Sequence, residues 1–172
     1  MEVKEEFFDI VDTNGHVTGL APRTKCHNDP SILHKAVHLL LFNDAGDLFL
    51  QKRSSLKSIQ PGRWDTSVGG HVASGEENKA ALFREAQEEL GISLKSPQFL
   101  YTYIWKCPKE TELINTWKEI VEQNVKIKIN KDEITEGRFW KMDEIQYSIK
   151  NNSEIFTPNF IHEIERYNTQ LS

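Results

Sequence analysis

GGHVASGEENKAALFREAQEELGI, Gly69 to Ile92, holds five glutamates between Glu76 and Glu89. Three of them, Glu85, Glu88 and Glu89, fall within a turn and a half of any helix formed there. Like charges three or four positions apart on a helix repel by a few tenths of a kcal/mol per pair, so this crowding is a local cost unless something offsets it. The stretch nevertheless reads as helix. Ser74 followed by Glu77 fits a capping box and Gly91 is a C-terminal stop, which predicts a helix from about Glu76 to Leu90. At a helical period, Phe83, Ala86 and Leu90 gather on a packing side, and the three glutamates share an arc of roughly 100° on another.

Upstream, Phe7 to Arg23 carries two strand-like segments around Asn14-Gly15, a dipeptide suited to a tight hairpin. His34 to Arg53 repeats the design with a turn at Asn43 to Asp47, and its Leu- and Phe-rich strands belong at the centre of a sheet. After Pro61-Gly62, Trp64 to Val68 reads as a short strand running into Gly69-Gly70, where missing side chains permit unusual backbone angles and close approach. Downstream, Gln98 to Lys106, Leu113 to Ile127 and Gly137 to Met142 read as strands, and Asp143 to Lys150 and Asn159 to Tyr167 as amphipathic closing helices. Hairpins and helices alternate around one sheet, which favours an α/β/α sandwich over a doubly wound parallel sheet. The expected organisation is one domain over residues 1–172, with residues 1–30 as a lead-in hairpin segment.

Gly70, Glu76, Arg84, Glu85, Ala86, Glu88, Glu89, Gly91 and Ile92 satisfy every defined position of G-x5-E-x7-R-E-U-x-E-E-x-G-U, where U is aliphatic. This pattern resembles the box of the Nudix hydrolases. The resemblance implies the Nudix fold, an α/β/α sandwich with a mixed sheet, and a hydrolase acting on diphosphate linkages with Mg²⁺ or Mn²⁺. It makes Glu85, Glu88 and Glu89 metal ligands with the carbonyl of Gly69 or Gly70, makes Arg84 and Glu76 an orienting ion pair, and leaves Glu85 and Glu88 as alternative general bases. The physics agrees, because Mg²⁺ takes six oxygens, commonly from a few carboxylates, water and substrate phosphates. Divalent cations would also relieve the repulsion among the glutamates and draw in a diphosphate.

Between Phe8 and Ile145 the chain further resembles the type I isopentenyl diphosphate isomerases and their Nudix hydrolase relatives. That resemblance assigns Arg53 and Lys57 to diphosphate binding, with Lys52 and Arg63 assisting, and aligns His27, His34 and His71 with a second, imidazole metal site. The isomerases complete that site with two glutamates on a later strand, where this chain has Ile114 and Thr116 unless a gap brings in Glu112 or Glu119. They also carry a cysteine where Gly69 stands, and glycine has nothing with which to move a proton. Hydrolysis of a nucleoside phosphate or prenyl diphosphate is therefore the expected activity. Isomerisation and non-catalytic nucleotide binding are the alternatives. His16, His38 and His162 carry no motif and receive no role, and Trp64, Tyr103, Trp105 and Trp117 are read chiefly as core.

A net charge of −5 without any long run of Lys and Arg argues against a nucleic-acid partner. The acidic start MEVKEEFFDIV is unlike a secretory signal, and no apolar run approaches a membrane span, which points to the cytoplasm. Cys26 and Cys107 form no CxxC pair and read as ordinary thiols. A small-molecule diphosphate is the expected partner, and the lead-in hairpin offers an edge for a homodimer.

Overall fold

The computed structural model describes residues 5–170, so the first four residues of the acidic start and the last two of the expected domain lie outside the described residues. The chain runs β1 (Phe7–Val11), β2 (Val17–Pro22), α1 (Arg23–Cys26), β3 (Leu33–Asn43), β4 (Leu48–Arg53), β5 (Trp64–Asp65), β6 (Val68–His71), α2 (Asn78–Leu90), β7 (Gln98–Lys106), β8 (Thr111–Val121), β9 (Ile134–Trp140), α3 (Met142–Asn151) and α4 (Pro158–Gln170), with a 3₁₀ turn at Ser153–Ile155.

β3 organises the sheet. Along one edge it pairs in parallel with β8 over its whole length, from Leu33↔Thr111 to Asn43↔Val121. Its other edge is shared by β1 at Ile10↔His34, by β6 from Ala36↔His71 to Leu39↔Val68, and by β4 at Phe42↔Leu48. β4 then diverges to pair with β9 and β5, while β2 and β7 flank β1 and β8. The result is a mixed α/β fold with a sheet between two helical layers. Val37, Leu39 and Leu41 of β3 join Ala81, Leu82, Ala86 and Leu90 of α2 in one core. Leu40 and Phe42 join Ile145, Phe160 and Ile164 of α3 and α4 in the other. A strand covered on both faces reads as a continuous apolar run rather than as an alternation, which is why HLLLF in this segment marks a central strand.

Several expectations change in detail. Ser74 does not cap α2: its hydroxyl donates to Asp9 Oδ1 at 2.7 Å, tying the helix entry to β1, and Glu77 holds the N-cap position without a side-chain bond. Gly91 does end the helix in the left-handed region, at φ +63°. Trp64 to Val68 is two strands rather than one, because Ser67 turns inward and bridges the backbones of Leu41 and Phe49. Gly69 and Gly70 lie inside β6, with no positive φ. The strand expected over Leu113 to Ile127 ends at Val121. Trp64, Tyr103 and Trp117 are core residues as expected, whereas Trp105 lines a cavity. Cys26 and Cys107 are both free.

Candidate active site

Gly70 explains how β6 and α2 can lie so close. A Cβ built on it would meet Glu85 Cδ at 2.1 Å and Oε1 at 2.3 Å, so the Glu85 carboxyl occupies the space a side chain would need. Close approach, rather than an unusual backbone angle, is what requires glycine here. Arg84 then holds the cluster. Its Nε and Nη2 donate to the two oxygens of Glu76, both at 2.9 Å, its Nη1 reaches Glu85 Oε1 at 2.7 Å and Glu88 Oε2 at 3.3 Å, and Nη2 also donates to the His71 carbonyl at 3.0 Å. A guanidinium can make this fork and an ammonium cannot. The hydrogen bonds from Arg84 hold the Glu76 carboxyl below the usual range, and those same bonds raise Arg84.

The three helix glutamates differ sharply. Glu88 is exposed, Glu85 has 14% of its side chain accessible, and Glu89 is buried, accepting from Gln51 Nε2 at 2.9 Å. The three glutamates that share an arc thus differ in depth, with Glu88 at the surface and Glu89 turned inward towards Gln51 and the Gly69 amide, 3.4 Å away. Burial, then the charge of Glu85, pushes the Glu89 carboxyl up to about 8, and burial also raises Glu85. Arg84 offsets part of the crowding, since its Nη1 reaches both Glu85 and Glu88.

A second cluster adjoins the first. Ligand atoms of His27, His34, His71 and Glu110 all lie within 4.8 Å of one another. Glu112 Oε1 is 3.2 Å from His71 Nε2, and Glu110 Oε2 is 3.4 Å from His27 Nε2. The carboxylates that the fold brings beside these histidines are thus Glu110 and Glu112, whereas Ile114 and Thr116 bring none. Ile114 is core, and Glu119 lies elsewhere, accepting from the amides of Lys95 and Ser96. The β3–β8 register, His34↔Glu112, brings the acids to the imidazoles, and the alternation Glu-Thr-Glu at a strand start puts both carboxyls on one face. Burial, followed by repulsion from His71, lowers His27 to about 3 and His34 to about 4, which keeps both imidazoles neutral and able to ligate. His34 is fully buried, and among the described residues neither of its ring nitrogens has a partner at hydrogen-bonding geometry. Buried polar atoms without partners are uncommon, and here they fit a ligand set that a cation would satisfy. Phe8 of the lead-in hairpin stacks on His34 and His71, with centroids 5.4 and 4.8 Å apart.

Both clusters open on one cavity of about 1060 Å³, which Arg53, Lys57 and Arg63 also line. Each of these cations has an internal partner: Arg53 Nη1 lies 3.0 Å from Asp65 Oδ2, Lys57 pairs with Glu133, and Arg63 Nη1 reaches the Phe156 carbonyl at 3.3 Å. Lys52 does not line the cavity; it lies over Trp64 and 3.9 Å from Glu136.

One buried pair has no counterpart in the sequence reading. His38 Nδ1 sits 3.1 Å from both oxygens of Glu163 on α4, and Thr116 Oγ1 donates to Glu163 Oε1 at 2.8 Å. Burial alone would lower His38, but the charge and hydrogen bond of Glu163 outweigh it and push the imidazole up to about 9 from 6.5. A raised histidine stabilises the fold fully below its unfolded pKa and loses that contribution as pH rises through the folded value. Between pH 6.5 and 9 the protein is expected to lose about 3 kcal/mol from this pair. Denaturant unfolding across that range checks the loss, which should be smaller in His38→Gln.

The chain matches the NUDIX domain model over residues 32–160. It is 31% identical over 157 residues to isopentenyl-diphosphate Delta-isomerase 1 of Photorhabdus laumondii, covering 88% of each chain. It is 27% identical to an uncharacterised Nudix hydrolase of Listeria monocytogenes, over 92% of this chain and 93% of that one. In fold it is similar to DR0079 of Deinococcus radiodurans, with a TM-score of 0.80, 24% identity, and 94% and 98% of the two chains covered. A helix whose glutamates are locked by one arginine against a glycine strand, in a chain matched by that model over three quarters of its length, places this protein in the Nudix family as a Nudix-type hydrolase.

Proposed function

We propose that this protein is a cytoplasmic, Mg²⁺-dependent enzyme that cleaves a diphosphate linkage in a small-molecule ester by attack of water on phosphorus. The observation that carries this reading is that Glu85, Glu88 and Glu89 line the same cavity as Arg53 and Lys57. The carboxylates suit divalent cations, and the basic side chains suit the diphosphate. Glu85, Glu88 and Glu89, with the carbonyl of Gly69 or Gly70, would hold Mg²⁺ or Mn²⁺. A cation bound there supplies charge neutralisation for the leaving phosphate and an acidified water. Arg84 bonds to Glu85 and Glu88, and either carboxylate would accept the proton of the attacking water. Arg53 and Lys57 would exchange Asp65 and Glu133 for phosphate oxygens. The outer strand β2 is the edge on which a second copy would pair.

His27, His34, His71, Glu110 and Glu112 form a second centre in this reading. Titration with Zn²⁺ or Mn²⁺ should find one equivalent that is lost in His34→Gln while the binding at α2 persists. An unchanged stoichiometry removes the centre.

Incubation with nucleoside di- and triphosphates and prenyl diphosphates in Mg²⁺, followed by phosphate release, tests the main activity. No turnover on any member overturns it. The completed His/Glu cluster and the 31% identical relative favour a second reading, isomerisation of isopentenyl diphosphate. Gly69 opposes it by offering no side chain to the proton transfer. Deuterium uptake into the isoprenoid from heavy water would restore it.

A further inference from the structure

Strand β4 alternates between the two cores until Gln51. Phe49 packs with α2 and Leu50 with α3 and α4, so the side chain after them, on the same face as Phe49, falls in the apolar layer beneath α2. Gln51 stands there with 5% of its surface exposed. Its backbone is paired on both edges, with Asp65 of β5 and with Gly137 of β9, which fixes where the amide can reach. A buried amide in an apolar layer costs desolvation that only its hydrogen bonds can offset.

The bond it makes goes to one oxygen of one helix glutamate. Gln51 Nε2 donates to Glu89 Oε2 at 2.9 Å, and the Gly69 N–H is directed at the same oxygen from 3.4 Å. A backbone N–H on Oε2 settles that oxygen as an acceptor, and so settles that the amide presents its NH2 end. Among the described residues Glu89 Oε1 receives no hydrogen bond, and Glu89 lines the cavity together with Glu85 and Glu88. The carboxyl keeps one oxygen in the protein and leaves the other for a ligand.

The kind of donor matters as well. A lysine or arginine in place of Gln51 could orient Glu89 equally well, but its charge would cancel the one a cation needs, and a hydroxyl can rotate and turn acceptor. A neutral amide orients without neutralising. Ca²⁺ accepts a large, flexible oxygen shell and often takes both oxygens of a carboxylate, whereas Mg²⁺ is smaller and holds to near-ideal octahedral geometry. Chelation through both oxygens of Glu89 would require Oε2 to leave Gln51 and Gly69.

We propose that Gln51 is a positioning residue for the metal on α2: by holding Oε2 of Glu89 it confines that carboxylate to a single ligand oxygen and so favours Mg²⁺ over Ca²⁺. The inference rests on the proposed binding of metal by Glu85, Glu88 and Glu89, and it adds a residue of another strand that sets which cation those glutamates prefer.

The test reads metal affinity in the absence of any phosphate ester. Mn²⁺ bound at α2, the part of its binding that is lost in Glu85→Gln, is displaced by Mg²⁺ or by Ca²⁺, and free Mn²⁺ is followed by its paramagnetic resonance signal. Wild type should prefer Mg²⁺. Gln51→Met keeps the length of the side chain and removes its donor, and it should weaken Mg²⁺ by about 10- to 100-fold, the loss typical when a group that orients a metal ligand is removed. Ca²⁺ can take up the freed oxygen and should lose much less, so the ratio of the two affinities should fall by about 10-fold. Gln51→Asn draws the amide back by one methylene while keeping a polar group in the layer, and the same fall in ratio there ties the effect to the bond on Oε2 rather than to polarity. A purely structural role would lower Tm and weaken both ions equally, and an unchanged ratio in the two variants overturns the inference while the metal reading stands. So does a wild type without preference for Mg²⁺, a result that needs no variant to fold. Mn²⁺ binding that is indifferent to Glu85→Gln overturns the metal reading and this inference together.

Discussion

Gly70→Ala should lower hydrolysis by about 100-fold or more while leaving the fold intact. The expectation follows from one distance: the new methyl group would stand 2.1 Å from Glu85 Cδ, so the carboxyl must swing away. Glu85 would then lose its 2.7 Å contact with Arg84, and Arg84 would be free to neutralise Glu88 instead. Displacing a single group that orients metal ligands commonly costs 10- to 100-fold in affinity or activity, and here a proposed ligand itself is moved. The backbone penalty is small because Gly70 lies in strand with an ordinary φ, so alanine is sterically acceptable apart from Glu85. Circular dichroism and thermal unfolding should therefore stay close to wild type while turnover and Mn²⁺ affinity fall together. Removing the obstruction gives the control: Gly70→Ala combined with Glu85→Ala should be no worse than Glu85→Ala alone. Full activity in Gly70→Ala would show that the position of Glu85 is immaterial.

The largest effect on stability is expected from Glu163→Ala. Glu163 is fully buried, and its carboxylate satisfies His38 and Thr116 at once. Breaking a buried pair by removing one partner typically costs about 3 to 5 kcal/mol, because the remaining group is left without compensation. For a chain of this size that corresponds to a fall in Tm on the order of 10 °C. The loss should be greatest at neutral pH, where His38 carries its charge, and smaller near pH 10, where the pair has already lost most of its electrostatic contribution in wild type. A Tm that falls equally at both pH values would show that lost packing, and not the ion pair, accounts for the destabilisation.

Much of the fold was legible in the sequence because its signals are local. Asn14-Gly15 and Asn43 to Asp47 set hairpins through turn chemistry, the apolar run in β3 marked a strand covered on both faces, and Gly91 stopped α2 by tolerating a left-handed backbone. The box from Gly70 to Ile92 was legible as a pattern of residue types, and its resemblance to the Nudix box, not helical spacing, paired Arg84 with Glu76, which lies ahead of α2. Register and rotation are different in kind. Glu110 and Glu112 reach the three histidines only because β8 pairs in parallel with β3, and pairing between strands about 70 residues apart leaves no periodicity in either segment. Glu89 is drawn inward by Gln51 from another strand, and Ser74 turns from its own helix to Asp9 because β1 is within reach. His38 and Glu163 stand 125 positions apart, and each alone reads as an unremarked polar residue. The sequence by itself settled which elements form and which residue types gather on α2, since these follow from backbone preference and spacing along one segment. Which carboxylates are buried, which imidazoles share ligands and which ring faces the cavity were decided only by tertiary packing, because desolvation and pairing depend on what the rest of the chain brings alongside.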